Sequence, residues 1–140
     1  MQGGEFRHRA DSGVDEETER LAELVIGAAI EVHRELGPGL PEISYCKAMS
    51  HELDLRGILH QCEAPVEIFY KGKLVGQGRI DILVARKLIV EIKAVEALNS
   101  THKAQVITYL QVKRLKLGLL INFNVPVLKD GIRRVINTFT

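Results

Sequence analysis

Tryptophan is absent from this 140-residue chain, aromatic residues make up only 5%, and there are two cysteines, Cys46 and Cys62. So few aromatics leave no evident platform on which bases could stack. Two thiols are too few for a disulfide framework or for a four-thiolate zinc or iron–sulfur site, and both read as small packed residues. Long apolar runs are missing as well. The most apolar window, residues 21–30, contains Glu23 and is closed by Glu31, which excludes a membrane-spanning helix. Residues 1–17 are polar, with no apolar stretch of the kind that marks a secretory signal, so they read as a flexible tail in a cytoplasmic protein. No internal repeat or low-complexity tract is present. What remains, 46% hydrophobic and 26% charged, has the composition of a soluble globular chain and the length of a single domain, here residues 18–140.

The net charge of +1 conceals an asymmetry. Residues 1–60 carry 12 acidic and 6 basic side chains, whereas residues 101–140 carry Asp130 alone against seven cations. Those cations include Lys103, Lys113, Arg114 and Lys116, which could lie along a phosphate backbone or could be ordinary solvated charges.

Apolar residues at Leu21, Val25, Ala28, Val32 and Leu36 recur at three- and four-residue steps and predict a helix from Thr18, stopped at Gly37-Pro38-Gly39. Ile26, Ala29 and Ile30 widen its apolar surface, which predicts burial on more than one side. A second helix is expected from Pro41 through Tyr45, Met49 and Leu53 to Gly57. The period then changes. Strands are expected over residues 60–70, 74–84 and 88–95, with turns at 71–73 and 85–87. A third helix over 102–114, capped by Asn99, Ser100 or Thr101, a buried strand over 117–123 and an edge strand over 132–138 complete the order α-α-β-β-β-α-β-β. This is an α/β (α+β) chain: a mixed sheet flanked by helices. Gly76-Gln77-Gly78, inside a strand, reads as a bulge.

The second hairpin carries the chemistry. If its turn centres on Arg86, opposed residue numbers sum to about 172, and Asp81 faces Glu91 with Lys93 on the same side, while Ile80, Ile82, Val90 and Ile92 point the other way. Two carboxylates with Cβ atoms about 5 Å apart repel each other. Either a divalent cation such as Mg²⁺ or Mn²⁺ offsets the repulsion, with the Ile92 carbonyl as a further oxygen donor, or Lys93 and Arg79 neutralise the acids. Glu42 is expected on the inward stripe of the second helix, beside Tyr45 and Met49, where an acid needs a partner or a metal, although an acid in a first turn also complements the helix dipole. Gln105 and Tyr109, four apart on one helical face, can reach the same site. His33 lies with Ile26, Ala29 and Ile30 and reads mainly as a satisfied histidine, and His102 as an exposed one near a helix start.

Asp81 followed by Glu91-Ile92-Lys93 resembles the D…(D/E)xK signature of the PD-(D/E)xK nuclease superfamily. Gln105-Val106-Ile107-Thr108-Tyr109 resembles the QxxxY element of its RecB-like branch. Gly39-Leu40-Pro41-Glu42-Ile43-Ser44-Tyr45 matches the name-giving motif of the small bacterial GxxExxY proteins, and the likeness runs from about Thr18 to Phe139. It implies a restriction-endonuclease-like fold and a Mg²⁺- or Mn²⁺-dependent phosphodiesterase site. Glu42, Asp81 and Glu91 would hold metal, Lys93 would position the attacking water, and Gln105 and Tyr109 would orient the site. Ile80 stands where the superfamily name has proline. The implied substrate is DNA, with RNA left open, cleaved structure-selectively or without sequence preference. A catalytically silent nucleic-acid-binding or scaffold module on the same fold is the alternative. A homodimer through an exposed sheet edge and a recruiting protein are the other partner classes, and no membrane is expected.

Overall fold

A computed structural model describes residues 13–138; residues 1–12 of the expected tail, and Phe139, lie outside the described residues. The elements are α1 (Glu16–Leu36), α2 (Glu42–Leu55), β1 (His60–Tyr70), β2 (Lys73–Val84), β3 (Leu88–Lys93), α3 (Ser100–Lys113), β4 (Leu117–Asn122), a 3₁₀ turn (Leu128–Gly131) and β5 (Ile132–Ile136). Helix α1 starts at Glu16, two residues before the expected Thr18, because Asp15 caps it by accepting a hydrogen bond from the Thr18 N–H at 2.8 Å. Pro41 is the residue before α2 rather than its first helical residue.

The strands form one sheet in the order β1-β2-β3-β4-β5, antiparallel except for the β3–β4 pair. Helices α1 and α2 cover one face, where Val25, Ala28, Tyr45 and Met49 pack on Ile82, Val90 and Ile92. Helix α3 covers the other, where Val106, Tyr109 and Leu110 pack on Ile80, Ile89 and Leu120. Strand β4 is buried along its whole length because both of its faces meet a helix layer. Helix α1 buries one side only: Ile30 and Leu36 are 41% and 43% exposed, since nothing among the described residues packs over the outer surface that their spacing had suggested was covered.

The register expected from the Arg86 turn holds, with Ile82↔Val90, Leu83↔Ile89 and Val84↔Leu88. Ile80 is a correction. It packs under α3, with the opposite layer from Ile82. Strand β2 changes face at Asp81, opposite Glu63, whose φ of +52° breaks the regular pleat of β1. A second irregularity lies at Ile68/Phe69, which pair with Gly76 and Leu74 and leave Val75 as the extra residue, so the expected bulge falls in β2 just before Gly76.

Helix α3 rests tightly on β4. A Cβ at Gly118 would come within 2.7 Å of Val106 Cγ1, with the Ile89 carbonyl 3.5 Å away. Gly118→Ala should therefore cost about 1–3 kcal/mol through overpacking, measured by urea unfolding, and adding Val106→Ala should recover most of the loss.

Candidate active site

The face change at Asp81 coincides with the end of regular β2–β3 pairing. Ile82↔Val90 is the last rung toward this end, and the next positions, Asp81 and Glu91, are joined through their side chains. The Ile92 N–H donates to Asp81 Oδ2 at 2.7 Å, and the Asp81 N–H donates to Glu91 Oε2 at 2.8 Å. Each carboxylate thus takes up a backbone donor that the sheet ladder would otherwise have used. Glu91 is 3% exposed. Burial, reinforced by the Asp81 charge, pushes its carboxyl up to about 8, against the pull of the Asp81 N–H and of Lys93. Burial also raises Asp81, opposed by the Ile92 N–H and by Lys93. Arg79 does not neutralise this pair, because its guanidinium bonds Glu63 at 2.7 Å. Half-buried Lys93 draws down Glu42, Asp81 and Glu91 alike.

Glu42 reaches the same place from a different side than its spacing indicated. It is exposed, while Tyr45, Met49 and Leu53 form the inward stripe. Side chains in a helix lean toward its N-terminus, so a glutamate at the first position projects past the helix end, over the cleft. The Tyr45 hydroxyl donates to the Gly37 carbonyl and accepts from the Leu40 N–H at 3.1 Å, and its ring stacks on Phe123 at 4.6 Å. That anchors the Gly37–Leu40 link, in which Gly39 takes a φ of +105°, and so fixes the start of α2. In Gly39…Glu42…Tyr45 the outer two residues therefore hold the glutamate in position. Partial loss of hydration raises its carboxyl, against Lys93 and with Asp81.

Cys46 was read as a packing residue, but one helical turn after Glu42 it joins the cluster. Oxygens of Glu42 and Asp81 and the Cys46 sulfur lie within 4.8 Å of one another. Burial among Asp81, Glu42 and Glu91 pushes the thiol up to about 12. The i, i+4 spacing from Glu42 was the available signal.

Helix α3 closes the far side. Asn99 caps it together with His102, which is half-buried rather than exposed, its N–H donating to Asn99 Oδ1 at 3.0 Å. Tyr109 is buried, and its phenol feels both the Arg79 backbone and the Gln105 side chain, so the expected pair does come together. Burial, with Glu91 next in weight, raises the phenol. A Cβ at Gly78 would collide with this hydroxyl, which accounts for glycine there independently of any bulge. Past Lys93, buried Asn122 clasps the chain, accepting from the Val95 N–H at 3.0 Å and donating to the Val95 carbonyl at 2.9 Å. Its place beside Lys93 across the parallel β3–β4 pair was not legible in the sequence.

A groove of about 560 Å³ runs from Glu42 and Asp81 past Cys46, Ser50 and Cys62. In its wall the Cys62 thiol donates to Ser50 Oγ at 3.3 Å, and Ser50 Oγ meets His60 Nε2 at 2.8 Å. His60 Nδ1 lies 2.9 Å from the Ile58 carbonyl, so Nδ1 carries the proton and Nε2 accepts from Ser50. His33 is tied to the Val125 carbonyl at 2.8 Å. The expected basic surface is dispersed. Lys103 sits in the first turn of α3 and Lys113 and Arg114 at its other end, about 15 Å away. Lys116 is half-buried and donates to the Asn137 carbonyl at 3.2 Å, and Arg134 pairs with Glu19.

The raised carboxyls set the pH response of the metal-free protein. Between the ordinary glutamate value of 4.5 and about 8, the folded chain holds a proton on Glu91 that the unfolded chain has released. Stability should therefore be highest below about pH 4.5, as far as this group is concerned, and decline toward about pH 8. Glu91→Gln should flatten that decline, as read from urea midpoints across the range.

A family model described as the PD-(D/E)XK nuclease superfamily matches residues 19–135. None of the curated proteins matches the chain. The solved structure of SSO0001 is similar at 18% identity and a TM-score of 0.46, over 80% of this chain and 62% of that one, so this chain spans less than two thirds of that protein's length. The mixed five-stranded sheet flanked by helices in this chain accords with the restriction-endonuclease-like fold, and with a family match that takes in all but the first turn of α1 and the last residue of β5, the chain belongs to the PD-(D/E)XK nuclease superfamily.

Proposed function

We propose that this protein is a metal-dependent nuclease of the GxxExxY group, within the RecB-like branch, that hydrolyses phosphodiester bonds in DNA. The observation that carries this reading is the convergence of Glu42 from α2, Asp81 from β2, and Glu91 and Lys93 from β3 where the β2–β3 ladder stops. Three carboxyls held above their ordinary range by lost hydration and mutual repulsion are a fitting donor set for a hard divalent cation such as Mg²⁺ or Mn²⁺. Glu42, Asp81 and Glu91 would hold it, with the Ile92 carbonyl as a further oxygen, and a bound cation would supply Lewis acidity at the phosphoryl group.

The chain's own residues supply the rest. Glu91, whose carboxyl stands raised to about 8, would have to release its proton to serve as a ligand, which would couple occupancy to pH. The Lys93 ammonium holds the attacking water in line with the phosphorus and balances the charge that builds on the phosphoryl oxygens. Tyr109, set against Gly78 and close enough to Glu91 to feel its charge, would orient the site together with Gln105. The unit that acts as a nuclease starts with buried Val14 and the Asp15 cap of α1 rather than at Thr18. Cleavage is read as structure-selective or non-specific. No helix among the described residues is long and apolar enough to cross a membrane, in keeping with work in the cytoplasm.

Lys93→Ala and Asp81→Asn separate chemistry from metal binding. Lys93→Ala should bind Mn²⁺ at least as tightly as the parent protein in titration calorimetry, because a cation has been removed from the site, yet lose on the order of a hundredfold or more in DNA cleavage. Asp81→Asn should lose at least tenfold in Mn²⁺ affinity, because a charged oxygen donor has gone. Undiminished cleavage by Lys93→Ala contradicts its assigned role. A parent protein that binds DNA but cleaves no substrate with either metal would favour a silent binding module.

A further inference from the structure

Beyond Ile68 the β1–β2 hairpin leaves the body of the protein. Strand β2 meets β3 only from Ile82 onward, and the α3-face core under the hairpin extends no farther than Ile68. The projecting tip turns through Lys71 and Gly72, both with positive φ, as in the tight two-residue turns that suit a twisted hairpin. Four large apolar side chains are left in water there: Phe69 at 58% exposure, Tyr70 at 62%, Leu74 at 41% and Val75 at 57%. They are interleaved with Lys71 and Lys73, and the Lys71 ammonium lies 5.3 Å from the Tyr70 ring centroid. No acid occurs between Glu67 and Asp81. Two of the chain's seven Phe and Tyr residues thus stand at an extremity, in a basic setting and outside both cores, one on each face of the hairpin because they are consecutive in β1.

We propose that this hairpin tip is the docking element for an unpaired nucleic-acid strand, with Phe69 and Tyr70 stacking on bases and Lys71 and Lys73 meeting the phosphates. The proposal rests on the nuclease reading and names the form of substrate that the site receives. Charge decides among occupants. A second copy of the chain would bring the same lysines against each other, whereas a polyanion neutralises them. The aromatic rings decide the form of the polyanion. In a duplex the base faces are stacked on one another, while an unpaired strand offers them to side chains. The tip and the site also share one strand. Lys73 is eight residues from Asp81, about 25 Å at the rise of a β-strand. That distance corresponds to roughly seven or eight stacked nucleotides. An unpaired strand drawn out between the two needs fewer.

The test is fluorescence anisotropy of the full chain with EDTA present to prevent hydrolysis, using a single-stranded 20-mer, a single-stranded hexamer and a 20-base-pair duplex. Phe69→Ala/Tyr70→Ala should bind both single strands at least tenfold more weakly, as expected for the loss of even one stacked base, while duplex binding stays within about twofold. Lys71→Glu/Lys73→Glu should flatten the salt dependence on the 20-mer by roughly 0.7 per lost phosphate contact. The tip contributes no core packing, so both variants should unfold at the parent's midpoint, and Mn²⁺ affinity should be unaltered. Equal 20-mer affinity in the aromatic variant, with the parent binding well, overturns the hairpin assignment and leaves the nuclease reading intact. A parent that dimerises in sedimentation while the aromatic variant does not makes the tip an interface between copies and also overturns it. A parent that binds none of the three probes overturns the hairpin assignment, since the tip needs no cation to meet a strand.

Discussion

Asp81 and Glu91 sit where two strands of a sheet part, and each holds the other strand by accepting one of its backbone N–H groups. Without those two bonds, the Asp81 and Ile92 donors would be left in a largely buried setting, a loss of the order of 1–3 kcal/mol each. With them, two carboxylates are fixed side by side and partly stripped of water, which raises both. Structure and chemistry therefore pull on the same atoms. The acids serve the fold by replacing sheet hydrogen bonds, and the fold holds them close enough for their repulsion to favour either a proton or a cation.

The surrounding elements are arranged around that parting of strands. Tyr45 anchors the link before α2, and so Glu42 leans over the opening. Asn122 clasps the chain just past Lys93, and Gly78 leaves room for Tyr109 to come down on the hairpin. None of these three residues need touch a substrate to matter. Each limits the positions available to a residue that does, which is how a site on strand ends reaches the precision that chemistry requires.

Much of this was legible in the sequence, for identifiable reasons. The Arg86 turn set the β2–β3 register because a short hairpin leaves little freedom in pairing, and so the meeting of Asp81 and Glu91 could be inferred before any coordinates. What failed were assumptions of regularity. Ile80 was placed on the wrong face because alternation was carried through Asp81, where the positive φ of Glu63 breaks the pleat. Glu42 was placed inward because a helix stripe was extended into the first turn, where side chains lean off the helix end. Cys46 was read as a packing residue because its i, i+4 spacing from Glu42 was not weighed against the usual burial of a small thiol. The exposed aromatics at the hairpin tip were overlooked because burial, unlike periodicity, is a property of the whole fold.

The central claim is that Glu42, Asp81 and Glu91 jointly form a cation site, and anomalous diffraction from a Mn²⁺-soaked crystal addresses it most directly. The account predicts an anomalous peak within direct or water-mediated coordination distance of all three carboxylates, with the Lys93 ammonium alongside. A peak elsewhere on the protein, or none at millimolar Mn²⁺ above pH 8, where Glu91 has lost its proton, would contradict it.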